Sequence, residues 1–310
     1  MAGLYVREKH LWNQMANDKF TGLGTSIPGQ VFYVMPGASA THGAFTRNHR
    51  KFVFDSFELA YAQAVTGRGD AIVFLPGAHT LTVADSPVAK NNLSIWGPEA
   101  WAGLPVQKPS AIITSLAASN GMAVTGTDVS LRGITIVPIT AKIGVNFSAA
   151  ALRGLVTGCH FDMNVAVANV ATKGIMVSGA AVDLKVKSNY FYSLGAHGPF
   201  ITVTGLINYT IDDNDFVVLT GGTMANAILV GAAAQGLINK NRFYGGTLTA
   251  AVDGTGATVA ASCRIFDNAF GVLCTVPIDN FSATNLTDLK DNRVATIGGG
   301  TGGTLISVNT

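Results

Sequence analysis

The sequence predicts a right-handed parallel β-helix, a solenoid in which the short strands of successive coils stack around one continuous core. Two observations predict this fold class. A six-residue pattern recurs at intervals of 24 to 30 residues, and its copies lack the 3.6-residue apolar period of helical repeats. The composition agrees, because the 310 residues are 48% hydrophobic and only 12% charged, with 36 glycines.

The recurring pattern has an aliphatic residue, two variable residues, a special position, one variable residue and then an aromatic or aliphatic residue. Its clearest copies are residues 211–216 and 265–270, and its degenerate early copies are residues 131–136 and 156–161. The special positions of the seven copies are residues 134, 159, 189, 214, 241, 268 and 292. Stacked copies therefore place equivalent residues in shared columns.

Each of the three columns has an expected role. The aromatic column, expected to line the core, holds Phe161, Phe191, Phe216, Phe243 and Phe270. The aliphatic column, also expected in the core, holds Leu131, Val156, Val186, Ile211, Ile238, Ile265 and Leu289. The special column holds Asn189, Asn214, Asn241, Asn268 and Asn292. Because asparagine tolerates left-handed backbone geometry and can hydrogen-bond its copy in the next coil, this column predicts an asparagine ladder at a bend.

The remaining elements follow in chain order. Residues 1–50 do not match the repeat and are interpreted as an irregular N-terminal arm or docking segment, followed by the β-helix over residues 51–310. Residues 55–65 have the pattern of a capped amphipathic helix, which could cover the open end of the core. A second strand precedes most of the special positions, and its copies, such as residues 175–179 and 201–205, end in glycine.

The segment Gly69-Asp70-Ala-Ile-Val-Phe-Leu-Pro-Gly-Ala-His-Thr-Leu81 resembles the entrance segment of pectate-lyase-like β-helix proteins. It departs from that family at His79-Thr80, where the family usually carries Thr-Tyr. The resemblance implies the β-helix fold for roughly residues 55–300, but lyases, hydrolases, adhesins and viral proteins share the motif. In style the chain is most similar to structural β-helix proteins of bacteriophage virions.

Charge and cysteine content exclude several classes. A net charge of +2 offers no basic patch for nucleic acid, and no apolar run is long enough for a membrane span or a signal peptide. Cys159, Cys263 and Cys274 lack metal-ligand spacing and are expected to be buried, reduced thiols from a chain made in the host cytoplasm. No metal and no cofactor are expected.

Catalytic candidates are restricted to aspartates, because the three glutamates lie off the repeat. Asp267 and Asp291 share the column before the asparagines on adjacent coils, about one strand spacing of 4.8 Å apart, and form the alternative catalytic pair. Asp212, Asp213 and Asp215 crowd a single coil and are the other acidic candidates. The favoured interpretation of the turn aspartates is a solvated edge. Cys159 and His160 should point to opposite faces, giving a packed cysteine and an exposed histidine, while His197 lies in a loop that could bind a ligand.

Glycine-rich segments are interpreted as turns. Residues 298–303 lack the features of a phosphate-binding loop and predict a flexible or tightly turning segment. The Gly-Gly-Thr sequences at residues 221–223 and 245–247 occupy matching places after their special positions, so they predict repeated turns.

The leading functional hypothesis is a non-enzymatic structural protein of a bacteriophage particle, located in the virion as a capsid decoration or head-vertex protein. A homotrimer is expected, since alanines at 232–234, 250 and 251 would allow close packing between copies. The alternative is a tailspike-like receptor-binding protein or polysaccharide depolymerase, which the short stretch after Asn292 disfavours. A third possibility is a glycan-binding module, with Tyr190, Tyr192 and Tyr244 as candidate contacts.

Overall fold

The computed structural model describes residues 29–36, 52–97, 109–116, 118–139, 141–148, 151–163, 172–179, 182–205, 207–231, 235–254, 263–271, 274–281, 286–294 and 306–308. Its elements are β1 (Val31–Val34), β2 (Val53–Phe54), α1 (Phe57–Gln63), β3 (Ala71–Phe74), β4 (Gly77–Thr80), β5 (Pro87–Val88), β6 (Ser94–Trp96), β7 (Ala111–Thr114), β8 (Met122–Val124), β9 (Ser130–Arg132), β10 (Thr135–Val137), β11 (Ile143–Phe147), β12 (Leu155–Thr157), β13 (His160–Met163), β14 (Lys173–Val177), β15 (Val182–Lys187), β16 (Tyr190–Ser193), β17 (Ile201–Val203), β18 (Ile207–Asp212), β19 (Asp215–Val230), β20 (Gly236–Asn239), β21 (Arg242–Asp253), β22 (Cys263–Phe266), β23 (Ala269–Phe270), β24 (Cys274–Phe281), β25 (Leu286–Lys290), β26 (Arg293–Val294) and β27 (Ile306–Val308).

In the described part of the chain, three stacks of strands run along the solenoid, and each is called a sheet here. The first has the order β2-β1-β3-β6-β9-β12-β15-β18-β20-β22-β25. The second is β4-β7-β10-β13-β16-β19-β21-β23-β26 and the third is β5-β8-β11-β14-β17-β19-β21-β24-β27, with the long strands β19 and β21 passing through both. Neighbouring strands pair in parallel. The prediction of a parallel β-helix is confirmed.

The aliphatic column forms the inner face of the first sheet. Its seven residues are register partners on adjacent strands from β9 to β25. The same row continues before the first recognised copy, through Ile95 and Ile72 to Phe32. Each fully buried aliphatic side chain contributes about 1.5–3 kcal/mol through removal from water. The core therefore begins earlier in the chain than the repeat does.

The aromatic column lies on the inner face of the second sheet. The rings of Phe161, Phe191, Phe216, Phe243 and Phe270 stack in sequence, with centroids 4.7, 4.9, 4.8 and 5.1 Å apart. All five are buried. Such stacked pairs contribute about 0.5–1.5 kcal/mol beyond the area they bury.

The asparagines lie between these two inner columns and form a continuous hydrogen-bonded row. The backbone N–H and the Nδ2 of Asn189 both donate to Asn214 Oδ1, at 3.0 and 2.9 Å. The same two bonds recur at each later step of the row. Each Nδ2 also donates to a carbonyl of the aliphatic column in the preceding coil, as Asn214 does to Val186 at 3.0 Å. The row thus satisfies buried backbone groups at the bend.

The left-handed residue of this bend is the one before each asparagine, which differs from the expectation that the asparagine itself would take that conformation. The residues with positive φ, between 52° and 61°, are Gly133, Gly158, Ser188, Asp213, Lys240, Asp267 and Asp291. The physical reason is that each asparagine side chain forms hydrogen bonds inside the coil, so the sharp turn of the backbone is made by the residue before it. From Asp213 onward the residues at this position are exposed, and they are aspartate or lysine.

The N-terminal end is closed by α1. Ser56 caps the helix by accepting a hydrogen bond from Leu59 N–H, and the buried Phe57 ring stacks on Phe74 with centroids 5.8 Å apart. In the predicted arm, β1 is a strand of the first sheet paired with β3, so this part of residues 1–50 is regular structure. Its row of Phe32 and Val34 is apolar and continues the core, which explains the pairing. The other arm residues lie outside the described ones.

The Gly-Gly-Thr sequences lie inside β19 and β21 rather than in separate turns. The register of this pair shifts between Val218 and Thr223, where the chain passes from the second to the third sheet. A Cβ on Gly246 would lie 2.4 Å from the carbonyl oxygens of Leu219 and Gly222, so neighbouring coils need glycine there. The glycine segment at residues 298–303 lies outside the described residues.

Two further expectations concern cysteines and membranes. Cys159 and Cys263 are buried and Cys274 is half-buried, all three as free thiols. Burial raises the thiol pKa of Cys159 to about 12 and that of Cys263 to about 11. No helix in the described part of the chain is long and apolar enough to span a membrane.

Candidate functional site

The outer face of the second sheet gathers aromatic and charged side chains from three neighbouring coils. Tyr190 is the register partner of Asp215, which in turn pairs with Arg242, and Tyr192 pairs with Val217, which pairs with Tyr244. We call these six residues the tyrosine face. They lie on the outside because their sequence neighbours Phe191, Phe216 and Phe243 point into the core and adjacent residues of a strand face opposite ways.

Asp215 and Arg242 form the polar centre of the tyrosine face. Arg242 donates from Nε and Nη2 to the two carboxylate oxygens of Asp215, at 2.5 and 2.8 Å. The Arg242 side chain is 56% exposed and that of Asp215 is 21% exposed. This bidentate pair fixes the orientation of the guanidinium while leaving part of it open to solvent.

The hydroxyls of Tyr190 and Tyr244 lie in surroundings that favour the neutral phenol. Burial raises the pKa of Tyr244 to about 12, and the negative charge of Asp215 adds to the effect. Burial and then Asp215 also raise the pKa of Tyr190. Tyr244 nevertheless remains 42% exposed, which is unusual for a large aromatic side chain. The face thus combines exposed ring area with fixed polar groups.

The sequence identifies the three tyrosines and, among its acidic candidates, Asp215, but it does not identify Arg242 or the pairing of Arg242 with Asp215. Asp215 and Arg242 each follow an asparagine of the ladder directly, and so does Tyr190. The column immediately after the asparagines was the available signal, because its members differ in chemistry from coil to coil.

The two histidines singled out from the sequence are both buried. His160 was expected to be exposed, and this expectation is wrong, because the ring of Tyr190 packs edge-on against it with centroids 5.1 Å apart. His197 is also buried, at 3% exposure. Within the described residues, no group of three or more histidine, cysteine, aspartate or glutamate side chains is arranged to hold a metal ion.

Asp267 and Asp291 belong to the column of left-handed residues that precede the asparagines, which we call the turn column. Both are exposed, with φ of 56° and 55°. They follow one another on adjacent coils, as the repeat implies, since Asp267 N–H donates to the carbonyl of the neighbouring Lys290 at 3.3 Å. The turn lies beside the tyrosine face rather than on it. Their placement matches the solvated edge that the sequence favoured, and a catalytic role for the pair stays the alternative.

A different pair of carboxylates, missed from the sequence, meets on the third sheet. Asp253 and Asp279 are register partners on β21 and β24, and Asn280 contacts both, through Nδ2 to Asp253 at 2.9 Å and through its backbone N–H to Asp279 at 2.8 Å. Asn226 Nδ2 also donates to the buried Asp253. The similar surroundings of the two residues, Ala-Val-Asp-Gly and Pro-Ile-Asp-Asn, could have revealed the pairing.

The alanines proposed for contact between copies are used within the chain. Ala250 and Ala251 are 3% and 0% exposed, so neither is available to a neighbouring copy. Residues 232–234 lie outside the described residues. The expectation that Ala250 and Ala251 pack between copies is therefore wrong, whereas the homotrimer itself stays a prediction.

Comparison with known proteins gives a fold and no family. No family model matches the chain, and no curated protein matches it. Among solved structures it is similar to a pectin methylesterase from Aspergillus niger (TM-score 0.54, 10% identity, 90% of each chain covered). It is also similar to Escherichia coli YbhC (TM-score 0.53, 12% identity, covering 85% of this chain and 83% of that one). At such identity these matches establish the shared parallel β-helix architecture and nothing about the chemistry of this chain.

Proposed function

We propose that this chain is a non-enzymatic carbohydrate-binding β-helix protein of a bacteriophage particle, and that its tyrosine face contacts a surface glycan. The observation that carries the proposal is the exposure of Tyr244, which shares a row with Val217 and Tyr192 and lies on the same sheet face as the Asp215–Arg242 pair. Pyranose rings have apolar C–H faces that stack on aromatic rings, and hydroxyl rims that need fixed donors and acceptors. The tyrosine face offers both.

The electrostatics of the face favour a neutral or weakly charged sugar. Arg242 and Asp215 neutralise one another, and the raised pKa of Tyr190 and of Tyr244 keeps both phenols uncharged at neutral pH. Tyrosine is also well suited to such contact, because it presents a large rigid surface with a polar tip.

The test is binding of the purified chain to immobilised bacterial capsular and lipopolysaccharide O-chain glycans. Tyr244→Ala should weaken binding at least about tenfold, as loss of an aromatic anchor does, whereas Tyr244→Phe should keep most of it. Leu59→Ala is the matched control, since Leu59 is 55% exposed on α1, far from the tyrosine face. Equal binding by Tyr244→Ala and the parent chain would contradict the proposal.

The same experiment separates binding from cleavage. Release of new reducing ends would overturn the non-enzymatic part of the proposal and support the depolymerase alternative. Asn substitution of Asp253 and Asp279 in one variant, and of Asp267 and Asp291 in another, would then identify which carboxylates act.

The place in a phage particle rests on the low-charge β-solenoid and on the similarity in style to virion proteins. Quantitative mass spectrometry of purified particles tests it. Hundreds of copies per particle would favour decoration of the capsid, and a few to some tens would favour a tail or vertex spike. Absence of the chain from particles would exclude the virion assignment while leaving glycan binding testable.

A further inference from the structure

A second concave surface lies on the outer face of the first sheet, away from the tyrosine face. One wall is a row of register partners, Lys185, Thr210, Leu237 and Arg264, on β15, β18, β20 and β22. We call this surface the corner groove. Its volume is about 590 Å³, which lies within the range of about 300–1,000 Å³ found for small-ligand sites.

The opposite wall exists because the backbone turns sharply at the start of these strands. Asp183 and Asn208 both line the groove with positive φ, 58° and 61°, and Gln235 lines it in the next coil. The turn raises this second row of side chains beside the strand row, so a channel runs along the solenoid axis.

Cations outnumber carboxylates among the described residues that line the corner groove. Arg153, Lys185 and Arg264 line it, against Asp183 as the carboxylate among its described lining residues. Arg153 is already bound to Asp128 through two contacts of 2.6 Å. Lys185 forms no ion pair with a described residue. Lys185 and Arg264 are three strands apart, which corresponds to about 14 Å at the usual strand spacing.

Neutral hydrogen-bonding groups fill the distance between these cations. Asn208, Thr210 and Gln235 offer amide and hydroxyl groups, each able to donate and to accept. This order of groups suits an elongated, hydroxyl-rich ligand with oxyanions toward its ends, because lysine and arginine bind such groups through charge-assisted hydrogen bonds.

From this arrangement we propose that the corner groove is a second binding site, which takes a sugar or polyol ligand bearing sulfate or phosphate groups. The site differs from the tyrosine face in position and in ligand charge. It is independent of the function proposed above, since no residue is shared between the two surfaces.

The chain offers a matched control for this site on the same strand. Lys187 lies two residues after Lys185 on β15, is 57% exposed, and pairs with Asp212 at 3.4 Å without lining the groove. Lys185→Gln and Lys187→Gln therefore remove the same charge from neighbouring positions of one strand. General attraction to the protein surface would respond equally to both.

The experiment is calorimetric titration of the full chain with sucrose octasulfate, inositol hexakisphosphate and neutral maltotetraose. We expect saturable binding of one or both anionic probes that weakens with added salt, and at least tenfold loss in both Lys185→Gln and Arg264→Gln. The stronger of the two anionic probes distinguishes a sulfated from a phosphorylated ligand. Lys187→Gln should bind both anionic probes as the parent chain does.

Failure has distinct signatures. No binding of either anionic probe at millimolar concentration, equal losses in Lys185→Gln and Lys187→Gln, or a loss of maltotetraose affinity in Lys185→Gln as large as the loss of anionic-probe affinity would each overturn the corner-groove proposal. None of these outcomes touches the tyrosine face, whose test uses other ligands and other variants.

Discussion

Two neighbouring columns of this molecule obey opposite rules. The special column repeats asparagine in five successive coils, while the column one residue later reads Tyr190, Asp215, Arg242, Ala269 and Arg293. The first column is bonded to its own copies and is buried up to Asn268, and the second faces outward on the second sheet. The stacking of coils explains why one column keeps the same residue type in every coil. It does not explain the residue types of a column that differs from coil to coil. The changing column is therefore where binding function is sought.

The sharpest test of this contrast replaces adjacent residues from the two columns. Asn214→Ala would remove the acceptor of the Asn189 N–H, one of the two acceptors of Asn189 Nδ2 and the side-chain donor to the Val186 carbonyl, at about 1–3 kcal/mol for each buried group left unsatisfied. We expect a loss of at least about 3 kcal/mol in the free energy of unfolding. Asp215→Ala, one residue later, removes a partly exposed ion pair and should cost less than about 1 kcal/mol.

Chemical denaturation followed by circular dichroism measures both variants. Similar midpoints for Asn214→Ala and Asp215→Ala would mean that the ladder contributes no more than an ordinary surface pair. A glycan-binding defect in Asp215→Ala with unchanged stability would sharpen the contrast between the columns.

This contrast also explains what sequence alone could predict. The phenylalanine and asparagine columns were readable because every coil places the same side chain in the same buried environment. Asp253 and Asp279 were missed because their pairing depends on register after the irregular passage through β19 and β21. The corner groove was missed because it depends on left-handed residues such as Asp183 and Asn208, which no shared residue type marks.

Asp70 shows that an unrepeated polar residue can be purely structural. Its side chain is fully buried and accepts from Gln30 N–H at 2.7 Å, Val65 N–H at 2.6 Å and Arg68 at 2.6 and 2.7 Å. These bonds join β1, the segment after α1 and the turn before β3. Unlike Asp215, Asp70 turns no polar atom toward solvent.

Asp70→Asn should therefore destabilise the fold by about 2 kcal/mol at neutral pH. The substitution removes charge-assisted hydrogen bonds, and the new side-chain NH2 group faces an N–H donor that the carboxylate had accepted from. Burial alone would raise the pKa of Asp70, but hydrogen bonds from Arg68 and the two backbone N–H groups, with the charge of Arg68, lower it overall. A carboxyl whose folded pKa is lowered stabilises the fold above its unfolded pKa of about 3.9, and the effect is lost as the pH falls through the folded value.

Thermal unfolding of Asp70→Asn and the parent chain between pH 3 and pH 7 measures this dependence. The stability difference should be constant from about pH 5 upward and should shrink below about pH 4. A difference that grows on acidification would contradict the sign of the pKa shift. Asp213→Asn is the matched control, because Asp213 is exposed on the turn column.

The smallest predicted effect concerns the turn column itself, where conformation repeats and the residue does not. Lys240 has φ of 54°, a conformation that costs a non-glycine residue about 1–2 kcal/mol. Lys240→Gly removes this strain but adds chain entropy to the unfolded state, so we expect a net gain near 0.5 kcal/mol. In Lys185→Gly, within β15, only the entropic cost applies, and stability should fall. A loss of stability in Lys240→Gly would mean that the lysine side chain forms stabilising contacts at the bend. The residue type at the turn column would then matter for stability, and not its backbone conformation alone.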